Sequence, residues 1–238
     1  MQFSNRLIIF LLFFSLAIGA FFRFYKLGSS PAGFYLDEAA MGYNAYSILK
    51  TGKDEFGQPF PIIFRSFIDF KAPIYTYFII PLIPLFDLTP FAVRFPSALF
   101  GTLSLPVLFL LIKSLSSQKY GSTLALVSTL FLAISPWHII FSRTAYETNI
   151  ALFFLLLGTL YFYHALNKPW LFVLSSVSYA LSFTSYHAER LVIPLLLVIL
   201  TIHFQKTLVL KIRNLIFPVL LSFLIGLALV LPTVKLMR

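Results

Sequence analysis

The chain has 238 residues, of which 59% are hydrophobic, 18% aromatic and only 11% charged. A soluble domain covers its surface with far more charge than this, so the composition excludes an ordinary soluble fold. The mean hydropathy of +0.91 predicts an all-α, polytopic membrane protein. The net charge of +10 is therefore expected on loops and at lipid headgroups, not on a nucleic-acid interface. Because the chain contains 0 Cys, it has no disulfide framework and no thiolate metal site.

The first predicted element is a membrane helix at about 7–22. We expect it to remain uncleaved, because the small residues that end it are followed at once by the bulky Phe21 and Phe22. A polar and aromatic loop follows at about 23–73, and then a short apolar stretch at about 74–88. Longer spans are predicted near 91–112, 121–141, 149–166, 170–186, 191–205 and 214–233. Residues 1–238 are thus expected to form a single membrane domain with about seven to eight membrane helices.

The stretch at 74–88 decides the predicted orientation. It is short for a span, and Pro81 and Pro84 interrupt its helix, so we interpret it as a re-entrant or shallow hairpin. The basic residues of the other loops then fall on one side, which the positive-inside rule makes cytoplasmic. That side carries Arg6, Lys113, Lys119, Lys168, Lys206, Lys211 and Arg213.

The opposite, extracytoplasmic face of the plasma membrane is then expected to collect acids, bases and histidine. Its members are Asp37, Glu38, Asp69, Lys71, Arg94, Arg143, Glu147, His187, Glu189 and Arg190. Headgroup anchoring alone does not require both signs of charge, so this mixture favours a polar site.

The loop at 23–73 contains a predicted short helix over 37–50. Asp37 is expected to be its N-cap, and an apolar face that includes Met41 and Ala45 predicts that the helix lies along the membrane surface. Capping explains Asp37 without any catalytic role. However, capping needs only one of the two adjacent acids, and a capping acid is also held rigidly, as a catalytic base must be. Asp54 and Glu55 are expected on a solvated turn.

Several ordered motifs of this loop and the following helix resemble a known family. They are Leu36-Asp37-Glu38-Ala39, Phe56-Gly57-Gln58-Pro59, Asp69-Phe70-Lys71-Ala72-Pro73 and Val93-Arg94-Phe95-Pro96-Ser97. In this order they resemble the polyprenyl-phosphate-sugar-dependent glycosyltransferases of the GT-C class, which include protein O-mannosyltransferases, lipid A aminoarabinose transferases and other members of glycosyltransferase family 39. Members are usually longer, so the resemblance implies the N-terminal half of such an enzyme. The missing C-terminal half or a partner subunit would then complete it.

The resemblance implies roles for individual residues. Asp37 takes the place of the catalytic acid, with Glu38 beside it, and Lys71 takes the basic position associated with the lipid phosphate. The substrate-binding residues that it implies are Lys71, Arg94, Arg143 and Glu147. His187 and Arg190, at an outward helix end, are further candidates from their own chemistry, since an imidazole can hydrogen-bond a sugar or phosphate and a guanidinium can bind a phosphate. The sequence departs from the family pattern at Ala72, where proline is common, and at Glu147, where aspartate is frequent. Lys71 and His187 also have plain interpretations, as a snorkelling anchor and as an interfacial polar residue.

The implied reaction transfers a sugar from a polyprenyl-phosphate donor to an acceptor hydroxyl on a protein, lipid or glycan. A carboxylate can accept the proton of the attacking hydroxyl, and a direct displacement would invert the anomeric centre. A cation at headgroup depth can neutralise the departing phosphate. The sequence identifies no certain cofactor. Asp37 and Glu38 could help to hold a divalent cation, but no spacing of His, Asp or Glu predicts a metal site. A transporter or lipid flippase is the main alternative, and a catalytically incomplete fragment is another. Transporters place acids in mid-membrane, whereas the predicted spans here contain no central Asp or Glu.

Overall fold

A computed structural model describes residues 4–66, 69–117 and 119–235. The described chain is almost entirely helical, with one short two-stranded antiparallel hairpin. The elements are α1 (Asn5–Phe24), α2 (Leu36–Thr51), β1 (Phe64–Ser66), β2 (Asp69–Lys71), α3 (Pro73–Ile79), α4 (Ile83–Phe86), α5 (Pro90–Leu115), α6 (Gly121–Ile134), α7 (Pro136–Ser142), α8 (Thr148–Ala165), α9 (Leu171–Ser185), α10 (Glu189–Leu210) and α11 (Ile212–Lys235). A single turn of 3₁₀ helix joins α3 to α4.

The apolar helices confirm the prediction of an all-α, polytopic membrane protein. Within the described residues, 4 helices are long and apolar enough to cross a membrane, and a fifth span results if the bent pair α6 and α7 counts as one. Three further apolar helices, at Pro73–Phe86, Leu171–Ser185 and Phe217–Leu231, are shorter than a usual span. The predicted total of seven to eight is reached only when these shorter helices are included.

The predicted span at 121–141 is not one straight helix. It breaks between α6 and α7 with a bend of 59°. Pro136 has no N–H to donate to the carbonyl of Leu132 one turn earlier, and Arg23 of α1 replaces that donor. The Arg23 guanidinium donates to the carbonyls of Leu132 and Ala133 at 3.1 and 3.0 Å and to His138 Nδ1 at 2.7 Å. A buried arginine thus supplies donors to the carbonyls at the break, where Leu132 otherwise accepts only a long hydrogen bond from the N–H of Ser135 at 3.4 Å among the described residues.

The helix predicted in the first loop is present as α2, but its apolar face does not lie against lipid. Met41 and Ala45 are buried in a core with Tyr75 of α3, Val93 of α5 and Ile150 of α8. The predicted apolar face is therefore present, but Met41 and Ala45 of that face pack against other helices of the protein. The hydrophobic side of α2 packs onto neighbouring helices, and this packing fixes the position of the acids at its N-terminal end.

Contacts between distant segments bring one end of the bundle together. Arg94, near the start of α5, donates to the carbonyl of Pro31 at 3.0 Å, so the chain enters α5 on the face where it left α1. The segment Pro73–Phe86 spans roughly 21 Å at 1.5 Å per residue, less than the roughly 30 Å of a hydrocarbon core. Both of its ends lie at the α2 end of the bundle, since Lys71 before it contacts Asp37 and Arg94 after it contacts Glu38. A hairpin-like path for the stretch at 74–88 is consistent with these contacts.

Candidate active site

Glu38 is the most heavily bonded acid at this end of the bundle. Its carboxylate accepts from Arg94 Nε and Nη2, both at 2.9 Å, and from the backbone N–H groups of Tyr35 at 3.1 Å and Ala145 at 3.0 Å. The side chain is 2% exposed. Burial by itself would raise the pKa of Glu38, but the hydrogen bonds from Arg94 and the two backbone groups, together with the positive charge of Arg94, lower it below its usual value. Glu38 is therefore held as a buried carboxylate with its oxygens occupied.

Arg94 also has all of its polar atoms bonded within the protein. Besides Glu38, its guanidinium donates to the carbonyls of Leu27 at 3.3 Å, Pro31 at 3.0 Å and Gly33 at 2.7 Å. An arginine side chain has five N–H donors, and these contacts use all of them. Arg94 thus binds the connection between α1 and α2 to the start of α5. It has no donor left to offer to a phosphate unless one of these bonds breaks.

Arg143 fixes the same connection from the other side. It follows α7, and its guanidinium donates to the carbonyls of Phe22 at 2.6 Å, Tyr25 at 2.8 Å and Ser30 at 2.9 Å. Two of these carbonyls belong to the C-terminal end of α1, where a positive charge is favourable. Arg94 and Arg143 therefore clamp residues 22–33 between them, close to the start of α2.

Asp37 differs from Glu38 in its exposure and in its partners. Its carboxylate meets the ammonium group of Lys71 at 3.1 Å, and the two side chains are 29% and 20% exposed. The prediction that Asp37 is the N-cap is wrong: Tyr35 is the N-cap residue, and Asp37 is the second residue of α2. Glu38, at the third position, accepts from the N–H of Tyr35 and so takes the capping role. Asp37 is left at the surface, on a helix that its neighbour holds in place.

Tyr146 is a site residue that the sequence analysis did not select. Its ring lies 6.4 Å from the ring of Tyr35, centroid to centroid. Burial raises the pKa of Tyr146, and the neighbouring Tyr35, Asp37 and Glu38 raise it further, so its phenol remains protonated beside the two acids. The only signal in the sequence was its position in Arg143-Thr144-Ala145-Tyr146-Glu147. Glu147 itself is half-buried and is the N-cap residue of α8.

The turn between α9 and α10 reaches the hairpin. His187 Nε2 lies 3.2 Å from the carbonyl oxygen of Phe70, the residue before Lys71. His187 is exposed and Arg190 is half-buried in the first turn of α10. This turn therefore joins the predicted face, with His187 closest to the strand that carries Lys71.

The acids do not assemble into a metal site in the part of the chain that the structure describes. No group of three or more His, Asp or Glu side chains is found there in a metal-binding arrangement. The carboxylate of Glu38 is already occupied by Arg94 and by backbone N–H groups. A cation at Asp37 and Glu38 would have to displace these partners.

Comparison with known families supports the resemblance noted in the motifs. A family model described as dolichyl-phosphate-mannose-protein mannosyltransferase matches residues 70–235. The match includes the basic residues Lys71, Arg94 and Arg143 but begins after Asp37 and Glu38. Comparisons with curated proteins and with solved structures gave no match.

Proposed function

The chain belongs to the dolichyl-phosphate-mannose-protein mannosyltransferase family, and we propose that it transfers a sugar from a polyprenyl-phosphate donor to an acceptor hydroxyl, with Asp37 as the general base. Family membership makes it a GT-C glycosyltransferase, and its apolar helices make it an integral membrane protein. Family membership favours an enzyme over a transporter or a lipid flippase. We further propose that the reaction takes place on the extracytoplasmic face and inverts the anomeric centre.

The observation that carries the proposal is the pair of Asp37 and Lys71, which are 3.1 Å apart and both partly exposed. A carboxylate and an ammonium group that touch and are both partly exposed can serve the acceptor and the donor in this reaction. The acid serves the attacking hydroxyl, and the cation serves the departing phosphate. Lys71 lies two residues before the apolar helix α3, where we propose that a lipid-linked phosphate reaches it from the membrane.

The proposed step balances as a single displacement. The acceptor oxygen forms a bond to the anomeric carbon while the bond from that carbon to the phosphate oxygen breaks, and the bonding electrons leave with the phosphate. The proton of the acceptor hydroxyl passes to Asp37. The Lys71 ammonium stabilises the charge that develops on the phosphate. As the donor arrives, its phosphate can take over the ammonium group, which frees the Asp37 carboxylate for the acceptor.

The remaining residues take supporting roles in this proposal. Glu38 and Arg94 are proposed as positioning residues, because every polar atom of their side chains is bonded within the protein. Arg143 is assigned the same role from its three carbonyl contacts. His187 and Arg190 are proposed to contact the donor, since His187 lies against the strand that carries Lys71.

Replacement of Asp37 by Asn tests the proposed base. Membranes that contain the native chain or Asp37→Asn are supplied with radiolabelled polyprenyl-phosphate mannose, and transfer of label is measured. Loss of a general base predicts a fall in turnover of about 10² or more. Asp87→Asn is the matched control, because Asp87 is an exposed acid outside this cluster and should transfer label at the native rate.

Two results would contradict the proposal. Equal turnover by the native chain and Asp37→Asn would remove Asp37 from the role of base. Absence of turnover by the native chain, with the protein folded in the membrane, would mean that residues 1–238 do not catalyse this transfer by themselves.

A further inference from the structure

A cavity of about 470 Å³ lies beside α2 in the first loop, and we call it the loop pocket. Its lining comes from α2, from the turn after α2 and from strand β1. The lining residues are Leu36, Ala39, Ala40, Tyr43, Glu55, Phe56, Arg65 and Ser66. Its volume falls within the roughly 300–1,000 Å³ of small-molecule sites. None of these residues takes part in the reaction proposed for Asp37 and Lys71.

The polar groups of the loop pocket are held in advance of any ligand. Asn44, which is 3% exposed, donates from Nδ2 to Glu55 Oε1 at 2.9 Å and accepts at Oδ1 from the N–H of Glu55 at 3.0 Å. Asp54 tightens the same turn by accepting from the N–H groups of Phe56 and Gln58 at 3.0 and 2.8 Å. Asp54 is only 5% exposed, so the prediction that it is solvated is wrong. The turn thus presents the Glu55 carboxylate in a fixed position.

Other lining residues supply a guanidinium and aromatic surface. The Arg65 guanidinium lies 5.3 Å from the centre of the Phe56 ring. Phe56 and Tyr43 are 51% and 54% exposed, although each is a large side chain beside a cavity. The hydroxyl of Ser66 is buried and has no hydrogen-bond partner among the described residues. The lining of the loop pocket therefore combines a carboxylate, a guanidinium and two aromatic side chains.

The loop pocket adjoins the proposed base. Asp37 follows Leu36 directly and precedes Ala40 by three residues, so Asp37 and Ala40 are neighbours on the surface of α2. On the other side, Lys71 of β2 pairs with Phe64 of β1, the residue before Arg65. The loop pocket is thus lined by the helix that carries Asp37 and by the strand that pairs with the strand of Lys71.

We propose that the loop pocket binds a sugar unit of a carbohydrate acceptor and presents one of its hydroxyls to Asp37. Neighbouring hydroxyls of a sugar can accept from a guanidinium and donate to a carboxylate, and the C–H face of the ring can pack on an exposed aromatic side chain. A peptide bound in an extended form would instead use a row of backbone groups. The polar groups at the loop pocket are side chains, which favours the carbohydrate. The inference rests on the proposed function for the fate of the bound hydroxyl, but the binding itself requires no donor.

Binding is tested by saturation-transfer NMR on the full chain in lipid nanodiscs, without donor. The probes are methyl α-mannobioside and a decapeptide that contains Ser and Thr. We expect saturation of the disaccharide by the native chain and about tenfold weaker binding for Arg65→Gln and for Tyr43→Ala. Tyr46→Ala is the matched control, since Tyr46 is a partly exposed tyrosine of the same helix that does not line the loop pocket.

Three outcomes would overturn the inference. Saturation of the peptide alone would exclude the carbohydrate class. Disaccharide binding that is equal in native, Arg65→Gln and Tyr43→Ala protein would move the sugar elsewhere, and absence of binding for both probes would reject the site. Where the native chain also transfers mannose, Arg65→Gln should raise the acceptor KM about tenfold and leave kcat unchanged. A native chain that binds the disaccharide but transfers no mannose would contradict only the proposed function.

Discussion

Two adjacent acids of α2, Asp37 and Glu38, form ion pairs that differ in burial. The pair of Glu38 and Arg94 is buried, with exposures of 2% and 1%, and its members also bind backbone groups of the α1–α2 connection and of the turn between α7 and α8. The side chains of Asp37 and Lys71 are 29% and 20% exposed, so both are partly accessible from outside the protein. Adjacent residues on a helix point about 100° apart, which is why one acid enters the core and the other faces outward.

This difference in burial suits Glu38 to a structural role and Asp37 to the proposed reactive role. A carboxylate whose oxygens are all bonded cannot accept a proton without losing partners, so Glu38 fixes the start of α2. A carboxylate with one cation beside it and water on the other side can exchange that cation for a substrate group. The rigid pair is thus what lets the accessible pair keep its position.

The largest expected effect follows from removing one member of the buried pair. Arg94→Met should destabilise the protein by about 3–5 kcal/mol, because it leaves the Glu38 carboxylate buried without its cation. The measurement is the midpoint of thermal unfolding in detergent, followed by fluorescence-detected size exclusion. The double variant Glu38→Gln with Arg94→Met should lose less than the sum of the single losses, since the two groups interact directly. Strict additivity would contradict the assigned contact.

Acid pH should also destabilise the protein by protonating Glu38, but by less than Arg94→Met does. The pKa of Glu38 is lowered in the folded protein from its ordinary value of 4.5, so folding favours the ionised form. The stabilisation that Glu38 supplies is therefore complete above pH 4.5 and is lost as the pH falls below it, through the folded pKa. Unfolding midpoints measured from pH 7 down to pH 3 should fall less steeply for Glu38→Gln than for the native chain. Parallel curves would show that Glu38 does not contribute to the acid sensitivity.

The sequence predicted much of this arrangement, because much of it is local. Apolar runs located the helices, and the short α2 was expected over 37–50 and is observed over Leu36–Thr51. The broken stretch before α5 was predicted from its length and its prolines. The gathering of acids and bases at one end followed from counting spans, and contacts such as that of Arg143 with Ser30 confirm that these loops meet.

The division of labour between the two acids could not be predicted, because it depends on residues far apart in the chain. Glu38 becomes the capping acid and a buried acid because Arg94, 56 residues later, and the N–H of Ala145 converge on it. Arg23 was equally hidden: its contact with the α6–α7 break spans 110 residues. Local patterns showed that charged residues were present, but only the packing of α1, α5 and α7 determined which became structural.

The smallest expected effect belongs to the exposed pair. Asp37→Asn and Lys71→Ala should each change the free energy of unfolding by no more than about 1 kcal/mol, because a partly exposed ion pair gains little over hydration. The same unfolding assay checks this, with Arg94→Met as the destabilised reference. If both variants keep the native midpoint while Asp37→Asn loses sugar transfer, the loss cannot be attributed to unfolding. A midpoint as low as that of Arg94→Met would instead show that the two pairs stabilise the fold alike, and Asp37 would be a structural residue like its neighbour.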